Sequence, residues 1–218
     1  MNRPQHSRTP QRLARVTHRL SSLAVLAAFG LVFAQAADAA DAAPAARERA
    51  TAAAKPAAAN AATAKVARGK YLVSTAGCHD CHTPWHLGPK GPEPDMSRAL
   101  SGHPEQLQMP PAPTLPEGPW ATVTGITNTA FAGAWGVSFT ANLTPDADTG
   151  IGSWTVRDFT QTIRSGKHMG RGREVLPPMP IQVYNNFTDA DLESIYAYLR
   201  TIPPVKNRVP EPRPPVAR

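Results

Sequence analysis

The only two cysteines of the chain, Cys78 and Cys81, stand three residues apart, and His82 follows the second directly. A disulfide between them would close a loop too short to constrain the unfolded chain, so a fold stapled by cystines is excluded. Stability must come from a packed core or from a cofactor. With 24 prolines and 15 glycines among 218 residues, and only 6% aromatic side chains, the material for a large core is limited. The length fits one domain or at most two small ones.

Cys78-His79-Asp80-Cys81-His82 is the spacing used for covalent attachment of a c-type haem. Two thiols about one helical turn apart can each add to one vinyl group of a single porphyrin, and the next histidine is then carried beneath the ring as an axial ligand. Three other readings compete. A thioredoxin-like dithiol wants a βαβ setting, which the sequence does not offer. Structural zinc on Cys78, Cys81, His82 and His86 would crowd four ligands into nine residues, far tighter than the usual two-pair spacing. Two unrelated free thiols would have to meet at this spacing by chance. Haem attachment is the reading that uses the whole motif.

The first 36 residues are basic and then apolar, with SSLAVLAAFGLVFA at 21–34 and small residues at Ala34 and Ala36. They predict a signal peptide cut after Ala36; about 14 apolar residues fall short of the roughly 20 that span a bilayer, so an uncleaved membrane tether is the alternative. Either way the remainder is expected outside the cytoplasm, in the periplasm. Residues 37–64 hold 17 alanines and no large apolar side chain, which predicts a flexible linker. The domain is expected over 65–204, followed by a proline-rich basic tail at 205–218 that is draped on the surface or disordered.

The formal charge of +7 includes five arginines of the first 36 residues, a stretch without acids. Beyond it 18 basic face 16 acidic residues, a balance of +2, and two haem propionates would bring the total near zero. A basic nucleic-acid face is not supported, and docking cannot rest on a large overall field. Arg164, Lys167, Arg171 and Arg173 form a local cluster, either a patch facing an acidic partner or a solvated loop.

Two helices are well marked. Thr155 with Asp158, and Thr188 with Asp191, stand at capping-box spacing. Phe159 and Ile163 continue the first stripe until Gly166; Leu192, Ile195, Tyr196 and Leu199 continue the second until Pro203. An earlier helix is expected on Val66, Ala67, Tyr71 and Leu72, with Gly69 calling for a close helix crossing. Between 83 and 139 lie ten prolines from Pro84 to Pro119, so this long stretch is expected as extended loop and turn. Its aromatics Trp120, Phe131 and Trp135 either wrap a cofactor or face a partner. No segment alternates as a strand, and the fold class expected is all-α.

The segments GKYLVSTAGCHDCHTP (69–84), ANLTPDADTGIGSWTVRDFTQTIRSG (141–166) and LPPMPIQVYNNFTDADLESIYAYLRTIPPV (176–205) resemble the cytochrome c family. The resemblance is to the monohaem class I type and to cytochrome domains found beside periplasmic dehydrogenases of Proteobacteria. It implies a cytochrome c-like domain with a long proline-rich loop insertion, in which the first and last helices cross and Gly69 admits Tyr196 or Tyr198. It further implies Cys78 and Cys81 as thioether positions, His82 as proximal ligand and Met179 as distal ligand, with Asn142, Thr144 and Trp154 around a haem propionate. Asn142 and Trp154 also read as a turn asparagine and a core tryptophan. Dehydrogenase cytochrome subunits often carry several attachment motifs, whereas one stands here, so one haem c is expected.

A thioether is a soft ligand that favours ferrous iron, and the prolines around Met179 stiffen its loop. Met169, Met96 and Met109 are competitors without that context; His168 would make a bis-histidine iron, but it lies in a glycine-flanked basic loop and is expected exposed. His79 and His103 read as ordinary polar residues. The expected function is single-electron transfer between redox protein partners, a dehydrogenase or an oxidase, with no small-molecule substrate and no catalysis. A non-catalytic cytochrome subunit of a periplasmic dehydrogenase complex is the alternative, and a haem enzyme or gas sensor with open iron the third reading.

Overall fold

The computed structural model describes residues 58–115 and 117–215. The expected signal peptide, and residues 37–57 of the expected linker, lie outside the described residues. Residues 58–64 are helical and exposed, and run without a break into the first helix, α1 (58–75). The alanines that read as linker also have the highest helix propensity, and the helix they continue is anchored by packing further on.

That anchor is a crossing. A Cβ on Gly69 would lie 2.8 Å from the Cβ of Tyr198 and closer still to the backbone of Ser194, so α1 passes directly over α5 (Asp189–Leu199). Leu72 and Val73 are buried beside the crossing, whereas Tyr71 is 59% exposed, with Arg68 over its ring. The buried face of α1 is thus turned by one residue from the expected stripe, because the position nearest α5 has no side chain at all.

After α1 the chain makes a short helix, α2 (Cys78–His82), and then the proline-rich stretch. This stretch is not purely loop. It holds an antiparallel hairpin, β1 (Trp85–Gly88) with β2 (Gly91–Pro94), and a three-stranded antiparallel sheet of β3 (Val123–Thr124), β4 (Ala130–Gly133) and β5 (Gly136–Phe139). The all-α expectation is corrected accordingly: helices are accompanied by two small sheets. The strands are too short to display alternation, and the β1–β2 and β4–β5 hairpins each turn on two residues flanked by glycine, Gly88↔Gly91 and Gly133↔Gly136. Prolines sit in β2, an edge strand in which their missing N–H is tolerated.

Helix α3 (Val156–Ser165) has the expected capping box: Thr155 accepts from the Asp158 N–H while Asp158 accepts from the Thr155 N–H, and Gly166 closes the helix in the left-handed conformation. A short α4 (Ile181–Tyr184) precedes α5, where Thr188 accepts from the Asp191 N–H. Leu72, Val73, Leu100, Phe159, Ile163, Leu192, Ile195 and Leu199 form one buried core drawn from α1, α3, α5 and the 83–139 stretch.

The tail is not a loose surface strand. Asn207 is 1% exposed and donates to the carbonyls of Ser101 (2.7 Å) and His103 (2.8 Å), while Arg213 exchanges backbone hydrogen bonds with Val137 (both 2.9 Å). The tail carries few apolar side chains beside its prolines, and buried polar bonds hold it.

Candidate cofactor site

Cys78, Cys81 and His82 sit on α2, whose length of five residues places both thiols within about one turn of each other. All three line one cavity between α1, α3, α4 and α5, and Met179 lines the same cavity from the loop before α4. Val73, Phe131, Leu143, Ile151, Phe159 and Ile195 supply apolar walls. Met169, Met96 and Met109 do not line it.

The imidazole of His82 is buried, and its Nδ1 lies 2.8 Å from the Ala141 carbonyl oxygen. A carbonyl only accepts, so Nδ1 carries the hydrogen and Nε2 keeps a lone pair. Burial pushes the His82 pKa down and so favours the neutral ring that a metal requires, with the Ala141 bond opposing that shift. Burial also raises the Cys78 thiol to about 11 and the Cys81 thiol above its ordinary value. A redox dithiol depends on a lowered thiol pKa, so free-thiol chemistry is disfavoured here. A haem fits this donor set: two thiols for its vinyl groups, a neutral imidazole and a thioether for its iron, and apolar walls for its ring.

The residues expected around a propionate divide. Trp154 lines the cavity, with the ring of His168 edge-on at 4.9 Å, and Arg173 lines it too. Asn142 and Thr144 are buried but do not line it. The Asn142 amide donates to Val205 (2.8 Å) and Asn207 (3.3 Å) carbonyls, and its oxygen accepts from the N–H and hydroxyl of Thr144 (3.0 and 2.7 Å). Both residues clamp the tail, and the clamp adjoins Ala141.

Of the basic cluster, Arg164 spans α3 to the α4–α5 turn, donating to the carbonyls of Asn185 and Phe187 (both 2.7 Å) and pairing with Asp189 at 2.6 Å. Arg171 pairs with Asp158 at 3.3 Å and Arg173 with Glu211 at 3.4 Å. Arg164 thus serves the fold, whereas the Arg171 and Arg173 pairs lie in largely exposed surroundings. Among the loop aromatics, Phe131 is buried in the cavity wall, Trp135 is half-buried and Trp120 is 74% exposed.

Several residues of the site carry no sequence signal. Ala141 orients His82 through a backbone carbonyl, which any residue provides. The Tyr184 hydroxyl donates to the Ala76 carbonyl at 2.6 Å, tying α4 to the turn before α2, and burial above all pushes its pKa up to about 12.

Likeness to known proteins points the same way as this donor set. The chain is similar to cytochrome c subunits. It is 28% identical over 136 residues, 62% of its length, to the fructose dehydrogenase cytochrome subunit of Gluconobacter japonicus, covering 21% of that protein. It is 28% identical over 135 residues, again 62% of its length, to the gluconate 2-dehydrogenase cytochrome c subunit of Pantoea cypripedii, covering 22% of that protein. A diheme cytochrome c-type protein of Cereibacter sphaeroides is 35% identical over 78 residues, 36% of this chain and 26% of that one. The chain thus spans only about a quarter of the length of these relatives. No protein-family model matches it.

Proposed function

We propose that this chain is an exported single-electron carrier holding one c-type haem through Cys78 and Cys81, with His82 and Met179 as axial ligands. The observation that carries this reading is the meeting of those four side chains, 101 residues apart at their extremes, on one apolar cavity. Bound there, the haem supplies a one-electron iron couple. His82, held at Nδ1 by Ala141, keeps Nε2 fixed for a metal; Met179 presents a soft thioether that biases toward the reduced state. Phe131, Leu143 and Ile151 exclude water, which lowers the local dielectric around any charge change. Were His82 and Met179 both to hold the haem iron, no ligand position would remain for a substrate.

The test is spectroscopic. The processed protein should begin at Ala37 and retain one haem mass after denaturation, and its ferrous form should refuse carbon monoxide. Met179→Ala should abolish the far-red sulfur-to-iron band, lower the potential and admit carbon monoxide, while Met169→Ala should do none of these. Ready binding of carbon monoxide by the unmutated protein would sink the carrier reading in favour of an open haem site.

A second reading, a non-catalytic cytochrome subunit of a dehydrogenase assembly, is favoured by relatives whose names are those of dehydrogenase cytochrome subunits. Copurification of a larger protein in equal amount decides for it. Among the described residues no helix is long and apolar enough to cross a membrane.

A further inference from the structure

Pro177-Pro178-Met179-Pro180 contains a single backbone N–H, that of Met179, and it is spent locally on the Leu176 carbonyl at 3.3 Å. A segment with so few donors can be tied to the rest of the fold only through its carbonyls or its side chains. The Met179 and Pro180 carbonyls accept from Ile181, Val183 and Tyr184 of the adjoining α4. Among the described residues, one hydrogen bond reaches the segment from elsewhere in the chain: the Ser138 hydroxyl donates to the Pro177 carbonyl at 2.5 Å.

Ser138 is well placed to hold that carbonyl. It is 7% exposed, it lies on β5, and the pairing Phe131↔Ser138 fixes its position along the strand. The Trp135 indole N–H donates to its oxygen at 3.2 Å, which leaves the Ser138 hydrogen for an acceptor. Pro177 at 2.5 Å is far nearer than the alternative, the Phe131 carbonyl at 3.5 Å. The Trp135 ring folds back across its own hairpin, and a Cβ on Gly133 would come within 2.9 Å of the ring's Cε3. The glycine therefore permits the arrangement.

We propose that Ser138, its hydroxyl oriented by Trp135, is a positioning residue for the sulfur of Met179, so that the small sheet of the 83–139 stretch splints the ligand loop. This rests on the assignment of Met179 as an iron ligand. Loss of the splint loosens the loop, and an external ligand then displaces the sulfur more easily.

The experiment titrates the exported, haem-loaded ferric protein with imidazole while the far-red sulfur-to-iron band is followed, well below the melting temperature. Ser138→Ala should raise the apparent imidazole affinity about three- to tenfold, the range expected for one net hydrogen bond, and Ser138→Thr should restore it. Trp135→Phe should give a smaller rise, and reports on the relay even if Ser138→Ala loads haem poorly. Ser194→Ala is the control: Ser194 is equally buried, but its hydroxyl bonds the Ala190 carbonyl within α5, remote from the loop in sequence. An unchanged affinity in Ser138→Ala and Trp135→Phe, or an equal rise in Ser194→Ala, overturns the proposal while leaving Met179 as ligand. Absence of the band from the unmutated protein overturns the ligand assignment and the proposal together.

Discussion

His82 donates through Nδ1 to the carbonyl of Ala141 at 2.8 Å, across 59 positions of sequence. The residue after Ala141 is Asn142, whose amide holds the carbonyls of Val205 and Asn207. The orientation of the His82 imidazole is thereby coupled to the tail, a segment more than 120 residues further along the chain.

The tail asparagine should matter for stability accordingly. Asn207 also accepts from the Glu105 N–H at 2.8 Å, so Asn207→Ala strands one N–H and the carbonyls of Ser101 and His103 in a buried site. The expected loss is about 2–4 kcal/mol, with a lowered denaturation midpoint at unchanged slope. A change within about 0.5 kcal/mol would show that the tail detaches at no cost.

At the helix crossing, Gly69→Ala sets two effects against each other. Alanine improves helix propensity by about 1 kcal/mol, but its Cβ would overlap the backbone of Ser194. Backbone moves less readily than a side chain, and the overlap should dominate, for a net loss of about 1–3 kcal/mol. Thermal melting of the haem-loaded protein reads the sign, and stabilisation would mean that the helices do not pack this closely.

Stability should fall as pH drops below about 6.5. His103 is wholly buried, Nε2 donating to the Leu107 carbonyl and Nδ1 accepting from the Thr129 hydroxyl, both at 2.9 Å. Burial lowers its folded-state pKa, partly offset by the Leu107 bond, and Arg213 lowers it further. A group depressed on folding binds its proton more readily when unfolded, so acid favours the unfolded chain, and the effect is absent above about pH 7. His79 and His168 shift in the same direction and add to the slope. The check is the melting temperature from about pH 5 to 8 for the unmutated protein and for His103→Gln; the variant should show the shallower dependence.

The two tryptophans of the proline-rich stretch should behave differently. Trp135→Ala removes a half-buried ring and the bond to Ser138, which should cost about 1–3 kcal/mol. Trp120, 74% exposed, should change melting by less than about 0.5 kcal/mol. If Trp120→Ala slows electron transfer to a partner at unchanged melting, that ring faces the partner; if neither observable moves, it is an isolated surface side chain.

What the sequence determined by itself was local. The Cys78–Cys81–His82 spacing lies within one short helix, the Thr155–Asp158 box and the Thr188–Asp191 cap lie within four residues, and the apolar stripes of α3 and α5 follow the helical period. Each is set by interactions between residues at most a turn or two apart, so a linear reading finds them. What only the tertiary structure decided was the set of contacts between distant segments: Ala141 on His82, Ser138 on Pro177, Asn207 on Ser101, and strands too short to show a period. These depend on backbone carbonyls and small polar side chains, which carry no residue-specific pattern. They take on their roles only when the folded core brings their segments within hydrogen-bonding distance.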